Sequence, residues 1–280
     1  MIKTIAVAGA GTMGLGIAQV SAQAGYQTIL FDLNDQVLET AGLKIKSSLK
    51  YLKDKGTLTP LQEQEIFERI NFTSDLQHCI ADVVIEAIIE KTEAKVDLFN
   101  KLATINNEKT IFASNTSSLG ITAIQKNIAS PNRVAGLHFF NPAPVMKLVE
   151  IVQGAQTDEA TIKQLKTLCK QMNKVAVLCK DAPGFIVNRI ARHYYLEAMQ
   201  LVEQGVASFQ NVDEIMESAG FKMGPFKLMD LIGMDINLAV SESMYTAFEK
   251  APRFAPSPLQ IDKVKNGELG RKTGKGFYTY

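Results

Sequence analysis

A pattern within the first 32 residues leaves this chain few folds to choose from. Ile2-Lys3-Thr4-Ile5-Ala6-Val7-Ala8 is a β-branched run that stops at Gly9 and reads as a strand. Gly9-Ala10-Gly11-Thr12-Met13-Gly14 follows, and then Ile17, Ala18, Val20, Ser21 and Ala24 recur at helical spacing until Gly25. Thr28-Ile29-Leu30-Phe31 is a second strand, closed by Asp32, which stands 18 residues after Gly14. A glycine run of the form G-x-G-x-x-G is weak evidence alone. Set between a strand and a helix, with an acid ending the next strand, it specifies a βαβ unit that binds a dinucleotide. Gly9 permits the tight turn, Gly11 lets backbone approach a pyrophosphate, and Gly14 lets the helix pack on the strand. With Thr12 and Met13 they make the cofactor loop, whose helix N-terminus offers N–H groups and a positive dipole end to phosphates. Asp32 accepts hydrogen bonds from adenosine ribose hydroxyls and repels a 2′-phosphate; Leu33-Asn34-Asp35 holds no arginine to offset that. The expected cofactor is NAD, not NADP.

Beyond Asp32 the βα rhythm is interrupted. Val37, Leu38, Ala41, Ile45, Leu49 and Leu52 recur at steps of three and four, giving a long amphipathic helix ended by Gly56. Its polar face carries Lys44, Lys46, Ser47, Lys50, Lys53 and Lys55, which meet either a phosphorylated ligand or plain solvent. Thr59-Pro60-Leu61-Gln62 reads as an N-cap, a proline at N1 and a capping-box glutamine, opening a second helix to about Arg69. The two form a helical hairpin inserted after the second strand. Strands then follow over 82–87, 110–113 and 133–140, with a helix through Val96, Leu98, Phe99 and Leu102 and another over 119–124. Such alternation produces a mostly parallel sheet covered on both faces. A helix over 158–173 and a strand over 175–178 complete it.

Asp181-Ala182-Pro183-Gly184-Phe185 marks a boundary, beyond which the pattern is helical: one long helix from Pro183 to about Gln204, and others over 211–219 and 227–249. The expected fold is therefore α/β: a Rossmann-type, mostly parallel sheet with an inserted helical hairpin over 1–182, followed by an all-α C-terminal domain over 183–280. The apolar content of 46% supports a core of that size, and a net charge of +1 gives no sign of a nucleic-acid or membrane partner. The three cysteines form no C-x-x-C pair and read as reduced thiols. No charged-then-apolar leader opens the chain and no apolar run nears the roughly 18–20 residues of a membrane helix, so a cytoplasmic protein is expected. No cluster has metal-ligand spacing, and no metal is expected.

Chemistry concentrates in Asn115-Thr116-Ser117 and in Gly136-Leu137-His138-Phe139-Phe140-Asn141-Pro142, with Glu150 twelve residues after the histidine. A strand over 147–153 follows the previous one too closely for a helical crossover, so the two pair antiparallel. Placing Phe140 opposite Lys147 or Leu148 puts His138 opposite Val149 or Glu150. A histidine in an apolar strand is commonly a satisfied core residue, but a buried carboxylate at Glu150 needs a partner, and the hairpin offers His138. Ser117 reads either as a helix N-cap or as a substrate contact. Asn188 reads as a solvated helix residue or a contact.

Taken with Glu86-Ala87-Ile88-Ile89-Glu90, Ser114-Asn115-Thr116-Ser117-Ser118-Leu119, Met146-Lys147-Leu148-Val149-Glu150, residues 181–189 and Met223-Gly224-Pro225-Phe226, these motifs cover nearly the whole chain in order. The sequence resembles the short, single-function L-3-hydroxyacyl-CoA dehydrogenases, which include the 3-hydroxybutyryl-CoA dehydrogenases. The resemblance implies reversible, NAD-dependent oxidation of a short-chain (S)-3-hydroxyacyl-CoA to the 3-ketoacyl-CoA. It makes His138 the general base and Glu150 its orienting carboxylate, and it puts Ser117 and Asn188 on the substrate oxygens. Glu90, Lys95 and Asn115 match positions that touch NAD, with Ser117 and His138 bordering it; Ser47, Lys50 and Lys53 lie in the segment that meets CoA. It further implies a homodimer joined through the C-terminal helices. Two other readings stand beside this one: a non-catalytic NAD-binding or structural protein on the same fold, and a dehydrogenase of a free hydroxy acid.

Overall fold

Residues Thr4–Ala8 form strand β1, and the glycine loop carries the chain from it into helix α1 (Thr12–Gln23). Only glycine fits two of the loop positions. Gly9 has φ +100°, and a Cβ there would lie 2.6 Å from the Ala87 carbonyl oxygen; a Cβ on Gly14 would lie 1.6 Å from that of Gly9. The structure is a computed structural model that describes residues 2–280. The chain divides into two units, Met1–Ala182 and Pro183–Tyr280.

The first unit continues with β2 (Gln27–Phe31), α2 (Asp35–Asp54), α3 (Pro60–Glu68), β3 (Ile70–Thr73), β4 (Val83–Glu86), α4 (Thr92–Ile105), β5 (Ile111–Ser114), α5 (Ile121–Gln125), β6 (Val134–Phe139), β7 (Leu148–Gln153), α6 (Glu159–Gln171) and β8 (Val175–Lys180). The eight strands form one sheet in the order β3-β2-β1-β4-β5-β6-β7-β8, and every neighbouring pair is parallel except β6 and β7. The Rossmann-type sheet read from the sequence is thus present. Every residue of β4, β5 and β6 is buried, as strands covered on both faces must be.

One element corrects the sequence reading. The helical hairpin stands after β2 as expected, but the sequence reading placed no strand at its far end. It is the crossover from β2 to β3, which pairs parallel to β2 at the sheet edge. Ile70-Asn71-Phe72-Thr73 favours a strand in three of its four residues but is too short for its alternation to stand out. The hairpin forms for the reasons its sequence gives. Asn34 caps α2, and Thr59 and Gln62 exchange both capping-box hydrogen bonds at the start of α3.

The second unit holds α7 (Val187–Glu203), α8 (Phe209–Ser218), α9 (Pro225–Ile232), α10 (Met234–Ala247) and α11 (Pro258–Lys265). Its core joins Tyr195, Ala198, Met199, Val212, Phe226, Met229 and Met234. Asp213, fully buried, takes the N–H groups of Phe226 and Lys227 at 2.8 and 2.9 Å and so caps α9 from α8. Two expectations change here. The first helix begins at Val187, not Pro183, because Gly184 and Phe185 are left-handed, at φ +72° and +48°. The helix expected over 227–249 is two helices, broken by Gly233 at φ +105°. Among the described residues no helix is long and apolar enough to cross a membrane. All three thiols are unpaired, and burial pushes those of Cys79 and Cys169 up to about 12.

Candidate active site

Parallel β1, β2, β4, β5 and β6 deliver their C-terminal ends to one edge of the sheet, and the strand order reverses between β1 and β4. Ligands of such sheets bind at that edge, where the order reverses. Gly11 is the N-cap of α1, no side chain caps that helix, and a Cβ on Gly11 would meet nothing within 4 Å. Asp32, at the end of β2, accepts the Ala10 N–H at 2.9 Å through Oδ2 and the Asn34 N–H at 3.1 Å through Oδ1. An open backbone approach, an uncapped helix terminus and a carboxylate one strand away fit the pyrophosphate and ribose of a dinucleotide. The tie from Asp32 to the loop backbone was not legible in the sequence, which gave the acid only a ligand to hold.

The antiparallel pairing of β6 and β7 settles the register. His138 lies directly opposite Glu150, and Phe139 opposite Val149. His138 is 6% exposed and Glu150 1%; the imidazole Nδ1 lies 2.7 Å from Glu150 Oε2. An unpaired carboxylate so deeply buried costs several kcal/mol, roughly, and this contact supplies its partner. Phe140 packs its ring 4.5 Å from the imidazole. Asn115, just past the end of β5, ties down the residue after the histidine, its Oδ1 accepting the Phe139 N–H at 2.8 Å. Lys174 fastens the β6–β7 connection by donating to the carbonyls of Ala143 and Met146 at 2.6 and 2.8 Å. Gly16 of α1 packs against that same connection, where a Cβ would lie 3.2 Å from both Ala143 and Pro144. The cofactor helix and the histidine hairpin are thereby in contact.

A second group gathers under the turn after β5. Thr116 Oγ1 accepts the N–H groups of Ser118 and Leu119 at 3.3 and 2.9 Å, and the N-cap of α5 is Gly120. Ser117 is therefore not the helix cap that the sequence allowed. Its N–H donates instead to Glu90 Oε1 at 3.1 Å. Burial pushes the Glu90 carboxyl up, but the Lys95 charge and hydrogen bonds from Thr116, Lys95 and Ser118 outweigh it and hold the group below its ordinary range. Lys95 lies beneath the surface. It is 1% exposed, with Nζ 2.6 Å from Glu86 and 3.1 Å from Glu90. Glu86 itself is raised by burial, against the opposing pull of Lys95 and of bonds from Lys95, Ser114 and Ile88.

The remaining candidates sit apart. Ser47, Lys50 and Lys53 lie on α2, where Lys50 pairs with Asp54 at 2.7 Å and Lys53 with Glu63 at 2.5 Å. Lys46 and Lys55 lie over the rings of Phe67 and Tyr51. These four lysines are thus engaged with neighbours, and surface ion pairs such as Lys50–Asp54 are worth about 0–1 kcal/mol. Asn188 belongs to the second unit, as the second residue of α7.

Residues 4–182 match the family model for the NAD binding domain of 3-hydroxyacyl-CoA dehydrogenase, and residues 184–280 match that for its C-terminal domain. The chain is 45% identical to an Escherichia coli 3-hydroxyadipyl-CoA dehydrogenase over all of its own length, and spans 59% of that longer protein. It is 41% identical to the mitochondrial hydroxyacyl-coenzyme A dehydrogenase of Rattus norvegicus, covering 92% of it. The solved structure of (S)-3-hydroxybutyryl-CoA dehydrogenase from Ralstonia eutropha superimposes with a TM-score of 0.95 at 39% identity, covering all of this chain and 99% of that one.

Proposed function

The chain belongs to the 3-hydroxyacyl-CoA dehydrogenase family, and on that premise we propose that it oxidises short-chain (S)-3-hydroxyacyl-CoA thioesters reversibly to 3-ketoacyl-CoA, with NAD. The observation that carries this reading is the His138–Glu150 contact of 2.7 Å, nearly closed to water. With Nδ1–H donated to a carboxylate, the imidazole keeps one tautomer and one orientation, and its Nε2 is the base. Nε2 takes the proton of the substrate's C3 hydroxyl as C3 becomes a carbonyl carbon, and Glu150 stabilises the imidazolium formed. When bound, NAD supplies the acceptor for the hydride that leaves C3. Ser117 hydrogen-bonds a substrate oxygen, and Asn115 keeps β6 in register beside the histidine. Gly9, Gly11, Thr12, Met13 and Gly14 hold the diphosphate, and Asp32 the adenosine ribose. Ser47, Lys50 and Lys53 meet the CoA moiety, the two lysines exchanging their ion pairs with Asp54 and Glu63 for phosphates.

The test is loss of NADH absorbance with acetoacetyl-CoA against free acetoacetate. The thioester should be reduced at least about a hundredfold more efficiently, since a CoA handle supplies binding energy that a truncated substrate lacks. Equal rates would favour a dehydrogenase of free hydroxy acids, and no NADH loss with either would favour a non-catalytic binder.

Asp32 without a neighbouring arginine motivates the cofactor preference. The specificity constant should favour NADH over NADPH by at least about tenfold, the worth of roughly 1.4 kcal/mol of charge repulsion. Parity between the two would remove the role given to Asp32.

The second unit leaves Ile190, Ile215, Phe221 and Ile236 at 69%, 65%, 50% and 51% exposure. Large apolar side chains so placed on a helical unit fit a homodimer interface. Light scattering at micromolar concentration should return twice the chain mass of 30.7 kDa; a strictly monomeric mass would remove the dimer. Three unpaired thiols accord with a reducing, cytoplasmic setting.

A further inference from the structure

A lysine ordinarily keeps its ammonium in water or pairs it with a carboxylate. Lys174, half-buried between α6 and β8, spends its charge on one loop instead. That loop joins β6, the strand of His138, to β7, the strand of Glu150. Within it the Pro142 carbonyl takes the N–H groups of Val145 and Met146 at 3.0 and 2.9 Å. From outside, Lys174 Nζ closes on the carbonyls of Ala143 and Met146 at 2.6 and 2.8 Å. The lysine is itself anchored on both sides: its N–H donates to the Cys169 carbonyl, and the Val175 N–H to that of Lys147, each at 2.8 Å. Burial draws its ammonium below the ordinary lysine pKa, a cost that the two bonds to the loop offset. The far side of the loop rests on α1. Ala143 is 2% exposed, and a Cβ on Gly16 would lie 3.2 Å from both Ala143 Cβ and Pro144 Cδ.

We propose that Lys174 is a positioning residue: by clamping the 143–146 turn against Gly16, it sets the distance between the dinucleotide on α1 and the base His138 on β6. The functional part of this inference rests on the reading of His138 as the base and of the glycine loop as the NAD site. The route between them is short. Ala143 stands five residues after His138, and Gly16 two residues after the last glycine of the cofactor loop. The β6–β7 register fixes the imidazole against Glu150 but leaves its distance from α1 to the packing of the loop. Reacting groups displaced by about 1 Å can lose about a hundredfold in rate, so a clamp at this contact acts on the hydride step more than on binding. An apolar side chain could fill the space that Lys174 occupies. It could not hold two carbonyls, three residues apart, at one point.

Two variants disturb the contact from its two sides. Lys174→Met keeps the stem and removes both bonds. Gly16→Ala adds the Cβ that crowds Ala143 and Pro144, while alanine favours the helix more than glycine does, so a fall in kcat there is not a loss of fold. With acetoacetyl-CoA and NADH, kcat should fall by at least about tenfold in Lys174→Met and at least about threefold in Gly16→Ala. The KM for acetoacetyl-CoA and the NADH dissociation constant should stay within about threefold in both. In the double variant the loosened loop takes up the added Cβ, so Gly16→Ala should cost less than about twofold in that background. Amide hydrogen exchange at Val145 and Met146 should speed by at least about tenfold in Lys174→Met, with β6 and β7 within about threefold of wild type. The acid limb of kcat in the oxidation direction should stay in place, since the His138–Glu150 contact is untouched. Should Lys174→Met fail to fold, Lys174→Gln carries the same readouts, because its shorter, uncharged amide reaches at most one of the two carbonyls. A kcat within about twofold of wild type in either variant, unchanged exchange at Val145 and Met146, or losses that simply multiply in the double variant would each overturn the proposal. A displaced acid limb would do so too, by making Lys174 a charge that acts on the base directly. A wild-type protein without dehydrogenase activity would sink the functional reading instead, and the exchange measurement would still decide whether Lys174 clamps the loop.

Discussion

Replacing His138 with Gln is expected to lower kcat for 3-hydroxyacyl-CoA oxidation by at least about a hundredfold, because a positioned general base is typically worth about 10²–10⁴ in rate. Glutamine has a similar reach and still hydrogen-bonds, so the variant removes proton transfer more than volume. The binding of NADH should change by no more than about threefold, since the glycine loop and Asp32 belong to β1, α1 and β2 while His138 lies on β6. One structural risk has a definite sign. His138→Gln leaves Glu150 facing an amide, which donates a hydrogen bond but carries no charge, so a modest loss of thermal stability should accompany the kinetic one. Fluorescence titration with NADH and steady-state kinetics on one preparation separate these effects. A variant that keeps most of its kcat would return His138 to the status of a core residue.

Glu150→Gln should lower kcat by about ten- to a hundred-and-fifty-fold. A hydrogen bond to a charged group is worth about 1.5–3 kcal/mol, and each 1.36 kcal/mol is a factor of ten. The loss belongs in kcat more than in KM. Glu150 lies behind the imidazole at 1% exposure, and it stabilises a charge that exists only once the proton has moved. A variant in which KM rises and kcat holds would make Glu150 a determinant of substrate binding instead.

Much of this site was legible in the sequence, and the parts that were not share a physical cause. The glycine loop could be read because only glycine tolerates the approach of Ala87 to Gly9 and of Gly9 to Gly14. The hairpin could be read because its connection is too short for a crossover; the sequence left Val149 and Glu150 as alternatives across from His138, and the register selects Glu150. What escaped was decided by contacts distant in sequence. Strand β3 is fixed by β2 lying beside it, and at four residues it is too short for its strand-favouring side chains to show a pattern. The break at Gly233 is visible as a glycine but not as a break, since a glycine inside a helical pattern is often tolerated. Lys95 sits in α4 with a spacing that suits either face. Its burial follows from Glu86 at the end of β4, an acid whose placement in a fully covered strand was the one available sign. Such departures from pattern in a sheet's interior are where a sequence reading should expect a network.

The most direct measurement is the pH dependence of kcat in the oxidation direction, for the wild type and Glu150→Gln side by side. Oxidation needs the base unprotonated, so kcat falls as pH drops through the base's apparent ionisation. Removing the carboxylate disfavours the imidazolium, so in the variant that fall should move to lower pH. Acid limbs that coincide in the two proteins, or a limb that moves to higher pH in the variant, would contradict the assignment of His138 and Glu150 as the base pair.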